Sequence, residues 1–232
     1  MSALRRSAPV VLLLLLAGNA RGVHTAVDAD AGERFDVAIR LRVDRSIEAR
    51  RVTPFMKREV EAIWEPYGVR LEWTDADGAE TPAKSVSLDV TVERELEERY
   101  RIRSPVVLGH TDVTPEAPAW RPIRVSFDAT EEVLAERALT RAAVGGMVLE
   151  RDVGLALGRV LAHEIGHVLL GPPFHDRAGL MRAAFRPTEL AEPDRRPFRL
   201  TCSGATRLRN RLRALSGDPL RERRGAPCIH IQ

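Results

Sequence analysis

Residues 152–170 constrain this chain more than any other stretch. Val153, Ala156, Leu157, Val160, Leu161, Ile165, Val168 and Leu169 make the segment apolar nearly all round, which predicts a helix buried along most of its length. Asp152 is placed to cap its start, and Gly171 followed by Pro172 to stop it. Gly154, Gly158 and Gly166 each cost about 1 kcal/mol of helix propensity against alanine. A neighbouring backbone packed closely against the helix would recover that cost; Gly166 either leaves room for such a segment or is simply tolerated, the sequence being equally compatible with both.

Within the helix, His163 and His167 stand four residues apart and so share one face. Two imidazoles at that spacing can bind a single zinc ion through neutral ring nitrogens, with water filling an open position. Glu164 lies between them, where a carboxylate can take the proton of that water as it attacks a carbonyl and pass it toward a leaving amine. A structural carboxylate is the alternative role. No additional oxyanion donor is evident, since Tyr67 and Tyr100 are far upstream, which leaves the metal to carry most of the developing charge. Downstream, His175 and Asp176 each carry a group that can bind zinc, since a carboxylate can stand in for an imidazole there.

Charge excludes one class of partner. The formal balance is +3, but Arg5 and Arg6 fall in the first twenty residues, beyond which 34 basic side chains face 33 acidic ones. That is no nucleic-acid footprint. Arg5 and Arg6 precede the apolar run 10–17, and small residues follow through Ala20, the pattern of a secretory signal peptide over residues 1–20. The run is too short for a membrane anchor, which needs about twenty apolar residues. The expectation is export, secreted or periplasmic, with no stable membrane insertion. The two cysteines, Cys202 and Cys228, are then expected to form one disulfide, contributing roughly 3.5 kcal/mol on a chain-entropy estimate.

At 232 residues the chain can bury a full core, and residues 21–232 are expected to form one domain, ending in a helix and tail over about 198–232. Phe35, Val37, Ile39, Leu41 and Val43 alternate as a strand, Val52 to Trp64 has helical spacing with Pro54 in its first turn, and Val69, Leu71 and Trp73 alternate again. This order suggests a parallel unit. Val86 to Val92 predicts a third strand, residues 93–100 a charged helix, and Ile123, Val125 and Phe127 a last strand. Residues 79–84 read as loop, and Asp75, Asp77 and Gly78 as a plain turn lacking the spacing of a calcium loop. Val106-Val107-Leu108 is a short apolar run ending at Gly109-His110, and His110 reads as a hydrogen-bonded surface group rather than a ligand. Residues 131–143 predict another helix. Ala205, Leu208, Leu212 and Leu215 form a helical stripe with Arg207, Arg209, Arg211 and Arg213 mostly outward. Packing onto the domain is favoured there over contact with lipid or a peptide.

HEIGHVLLG, the following histidine and then GLM resemble the metzincin clan of zinc endopeptidases, closest in style to its matrixin-like secreted members. The resemblance is specific over residues 155–182 and architectural elsewhere. It implies that His163, His167 and His175 hold zinc, that Glu164 is the base, that Gly171 turns the chain under the metal and that Met181 forms a hydrophobic floor. The clan places its glycine three and its third histidine six residues past the second ligand; here they lie four and eight past it, with Pro172-Pro173 in the turn. The fold implied is α+β: a mixed sheet with packed helices, the active-site helix across it and an irregular lower subdomain. By the same resemblance the strand at Ile123 to Phe127 is the edge strand that pairs with an extended substrate; past Met181, Phe185, Pro187 and Leu190 read either as a continuation of the pocket wall or as a solvent-covering loop.

The function expected is an exported zinc-dependent endopeptidase acting on a protein or peptide substrate. A non-catalytic metal-binding protein on the same fold and a narrow-specificity zinc amidohydrolase are the alternatives.

Overall fold

Strand β1 (Phe35–Val43) is the first element and the backbone of the sheet. Its alternate residues Phe35, Val37, Ile39 and Leu41 are buried, while Arg40 and Arg42 reach the opposite face and bind Asp89. The computed structural model describes residues 34–75, 86–96, 107–112, 120–142, 150–171 and 174–216. The expected signal peptide, Asp77-Gly78 of the expected turn, the loop at 79–84, residues 97–100 of the charged segment with Tyr100, Pro172-Pro173 and Cys228 lie outside the described residues.

After β1 come helix α1 (Ala49–Trp64) and strand β2 (Val69–Asp75), which pairs parallel to β1. A parallel return needs a crossover of this kind, and α1 supplies it. Strand β3 (Val86–Glu93) pairs parallel on the other side of β1. Strands β4 (Gly109–Thr111) and β5 (Trp120–Ser126) complete a five-stranded mixed sheet in the order β2-β1-β3-β5-β4. β5 is parallel to β3 and antiparallel to β4.

One expectation is corrected by this order. The strand through Ile123 and Val125 is interior, with Ile123 and Val125 fully buried; the edge strand is β4. Three residues of glycine, histidine and threonine carry no alternation to read, and only pairing with β5 makes them a strand.

Helix boundaries also differ. α1 begins at Ala49, so Pro54 lies inside the helix rather than in its first turn. Its ring is on the exposed face, where the lost backbone donor disturbs no packing. Helix α2 (Phe127–Ala142) begins directly after β5. Ser126 starts it, its hydroxyl accepting the Ala129 amide at 3.2 Å. Helix α3 (Glu150–Leu170) starts two residues before Asp152, and from Val153 to Leu170 only His167 is not buried. Among the described residues it is the helix long and apolar enough to cross a membrane, and it lies instead inside the protein.

The glycines of α3 explain how it packs. A Cβ at Gly154 would meet the Val52 carbonyl at 2.8 Å, and one at Gly158 the Met56 carbonyl at 2.8 Å. α1 therefore lies backbone to backbone on this stripe, which offsets the lost helix propensity. Where the two helices touch, they bury a charge cluster the sequence did not announce. Arg159 donates to Glu59 at 2.9 Å with both side chains fully buried, and Arg195 reaches the other Glu59 oxygen at 2.8 Å. Arg159 also donates to the carbonyls of Glu189 and Asp194. It thereby ties α3 to the short helix α4 (Pro187–Ala191) and the segment after it.

Gly171 ends α3 at φ +82°, a left-handed conformation that glycine adopts without strain. Helix α5 (Cys202–Ser216) packs through Gly204, Ala205, Leu208 and Leu212, the stripe expected from its spacing. Arg207 of α5 donates to the terminal Leu170 carbonyl at 2.7 Å, closing the end of α3.

Candidate metal centre

The helical register of α3 turns His163 and His167 to the same side, and His175 stands beside them. One ring nitrogen from each of the three histidines lies within 4.8 Å of the others. The Nε2 atoms of His163 and His167 are 3.1 Å apart. Two imidazoles bound to one tetrahedral zinc at about 2.1 Å would stand about 3.4 Å apart, so the pair already has ligand spacing. Rings 163 and 175 are nearly parallel, with centroids at 5.4 Å, and ring 167 meets ring 175 edge to face at 4.9 Å.

Protonation suits metal binding. Burial pushes His163 down to about 4, helped by the nearby His175 charge and opposed by its bond to the Leu180 carbonyl. Burial pushes His167 down to about 3, with the charges of His163, His175 and His110 adding to it. Both imidazoles are therefore neutral at pH 7, the form in which they ligate. His163 Nδ1 lies 2.7 Å from the Leu180 oxygen. An N–H donated there leaves Nε2 as the lone-pair nitrogen facing the other rings. A three-imidazole donor set with one open side fits zinc.

Glu164 is 6% exposed, and its Oε2 accepts the Thr111 hydroxyl at 2.6 Å. Burial raises its pKa to about 7 against the lowering effect of that bond. A Cβ at residue 109 would come 3.0 Å from Glu164 Oε1, so Gly109 is what lets the edge strand lie against the carboxylate. Sequence reasoning did not find Thr111 or Gly109, for the reason that hid β4 itself.

Met181 lies on the other side of the histidine helix, its sulfur filling the space where a side chain on Gly166 would stand. Asp176 turns away from the histidines. Its Oδ1 accepts the Arg177 amide at 2.8 Å, and its Oδ2 accepts the hydroxyls of Thr201 and Ser203. His110 is outside the three-histidine group but lines the pocket.

That pocket has a volume of about 470 Å³ and opens beside the three histidines. Val107, Leu108, Val133, Val160, Phe185 and Pro187 give it apolar walls. Phe185 meets the His163 ring edge-on at 5.5 Å, and Arg182 lies over the Phe185 ring while binding Glu189. Leu190, expected in the wall, is instead fully buried in the core. The histidines, a buried carboxylate and an apolar cleft together allow an apolar group to be held beside a polarised, hydrolysable bond.

No protein-family model matches this sequence, and no curated protein matches it. Among solved structures it is similar to an archaemetzincin from Methanopyrus kandleri, at 14% identity over 80% of this chain and 99% of that one, with a TM-score of 0.47. A likeness of that size transfers no chemistry, which must come from the side chains of this chain.

Proposed function

We propose that this protein is a zinc-dependent endopeptidase of metzincin-like type. One observation carries the reading: three imidazoles and a buried carboxylate converge at the mouth of an apolar pocket beside the terminal strand of the sheet. Zinc on those imidazoles would supply Lewis acidity, acidifying a water and polarising a carbonyl. His163 offers Nε2 because its Nδ1–H donates to the Leu180 carbonyl. Thr111 steadies Oε2 of Glu164, so that the carboxylate can accept a proton from the attacking water and deliver it to the leaving amine. A residue with a pKa near neutrality suits both halves of that transfer. An extended peptide pairing along the outer side of β4 would pass the histidines and present an apolar side chain to the pocket.

Export belongs to the same proposal, supported by Arg5, Arg6 and the apolar run after them, as does the Cys202–Cys228 disulfide. Mass spectrometry of protein recovered outside the cytoplasm should show a chain shortened by about twenty residues. An intact Met1 terminus there would refute export, and two alkylatable thiols would refute the bridge.

The decisive test compares zinc content after dialysis with cleavage of a mixed peptide library. Glu164→Gln should keep its zinc and lose nearly all cleavage, since the ligands survive and the proton acceptor does not. His175→Ala should lose zinc. Undiminished cleavage by the Glu164 variant would defeat the mechanism; zinc without cleavage of any peptide by the wild type would favour a non-catalytic protein.

A further inference from the structure

His175 is the exposed member of the histidine group, on a segment without helix or strand. Imidazoles 163 and 167 are held by a buried helix, whereas no helix or strand holds the ring of His175 near them. The contacts on both sides of it lead to one place. Phe174 lies under the Arg207 guanidinium, 4.8 Å from ring centroid to Cζ, and Arg207 is itself anchored on the Leu170 carbonyl. Asp176 accepts the hydroxyls of Thr201 and Ser203. Thr201 Oγ1 in turn accepts the Gly204 amide at 3.1 Å, so it caps the helix it precedes. A carboxylate at a helix N-terminus is stabilised further by the helix dipole. The Asp176 backbone is pinned as well, its amide donating to the Met181 carbonyl at 2.8 Å.

We propose that the N-terminal half of α5 is the scaffold of the third metal ligand, with Asp176 and Thr201 as positioning residues that set His175 against the pair on α3. This rests on the metal-site reading above. Asp176 is thereby given a task other than ligation: both of its oxygens are engaged away from the ring nitrogens. Such a scaffold holds His175 from both sides, through Phe174 and Asp176.

The experiment measures zinc affinity of the full-length protein by competition with a chromophoric chelator, together with the visible spectrum of the cobalt-substituted protein. Asp176→Ala and Thr201→Val should each weaken zinc binding about ten- to a hundredfold and alter the cobalt spectrum. The double variant should be scarcely worse than either single one, because one link is removed in all three. Thr201→Ser and Asp176→Asn, which retain a hydroxyl and an acceptor oxygen, should recover most of the affinity. Unchanged affinity in Asp176→Ala would overturn the proposal. So would a loss in Asp176→Asn as large as in His175→Ala with Thr201→Val unaffected, since Asp176 would then itself be the ligand. Should Asp176→Ala fail to fold, Thr201→Val and Thr201→Ser alone decide it: equal affinities overturn the link. A wild-type protein that binds no zinc, or whose affinity His163→Ala leaves untouched, would instead bring down the metal-site reading beneath it.

Discussion

Met181 occupies the space that a side chain at position 166 would need, its Cε standing 3.0 Å from where the Cβ would be built. The glycine between the two helix histidines is thus a packing requirement, filled from a segment fifteen residues further on. Gly166→Ala gains about 1 kcal/mol of helix propensity but must displace a buried thioether, and overpacking of this kind costs about 1–3 kcal/mol. Met181→Ala alone should lose about 2–5 kcal/mol through the cavity it leaves. The double variant should be more stable than the sum of the two losses by denaturant unfolding, since the alanine methyl enters the vacated space. Strict additivity would mean that this contact is not what keeps position 166 small.

Arg159 and Glu59 form a pair in which each makes the burial of the other tolerable. Burial lowers the pKa of Arg159 and the Glu59 charge opposes that. Glu59→Ala should therefore destabilise by about 3–5 kcal/mol, because the guanidinium is left buried without its counter-charge. Glu59→Leu combined with Arg159→Met should cost far less than the two single losses added. Urea unfolding of the four proteins checks this, and a double variant as unstable as that sum would refute it.

Thr111 is the hydroxyl on Glu164. Thr111→Val removes the donor at nearly constant size, leaving the histidines untouched. On the proposed mechanism kcat should fall about tenfold while zinc content stays the same. A change confined to KM would place Thr111 in substrate binding instead.

Glu189 gives a pH dependence of known sign. Partial burial raises its pKa, but the Arg182 bond, the Arg186 amide and the two guanidinium charges outweigh that and leave it below the usual 4.5. A carboxylate lowered on folding stabilises the protein fully above about pH 4.5 and loses that contribution as pH falls through its folded value. Between about pH 6 and pH 3 the unfolding midpoint of the wild type should therefore fall more steeply than that of Glu189→Gln. Parallel slopes would show that the Arg182–Glu189 pair carries no linkage.

Much of the fold was legible because burial imposes period on sequence. Alternation in β1, β2 and β3 and helical spacing in α1 and α5 mark which faces meet the core, and they located those elements to within a few residues. The strand β4 was not legible. Three residues have no period to show, and their pairing with Val125, Arg124 and Ile123 exists only once β5 is in place. Glu59 and Arg159 were hidden for a related reason: a charge is tolerable in the core only beside its partner, and these partners are a hundred residues apart in sequence.

The candidate site divides along the same line. Sequence alone placed His163 and His167 on one helical face, because a spacing of four is a geometric statement once the helix is granted, and it set Glu164 between them. It also singled out His175 and Met181, through the resemblance of the residues after Gly171 to the metzincin clan. Only the tertiary structure decided what surrounds them. It set Thr111 and Gly109 against the carboxylate, Leu180 on the Nδ1 side of His163, Gly166 over Met181, and Asp176 on the helix start at Thr201 rather than toward the histidines. Local spacing fixes the direction of side chains within one helix, whereas the partner of each depends on which distant segment folding brings within hydrogen-bonding distance.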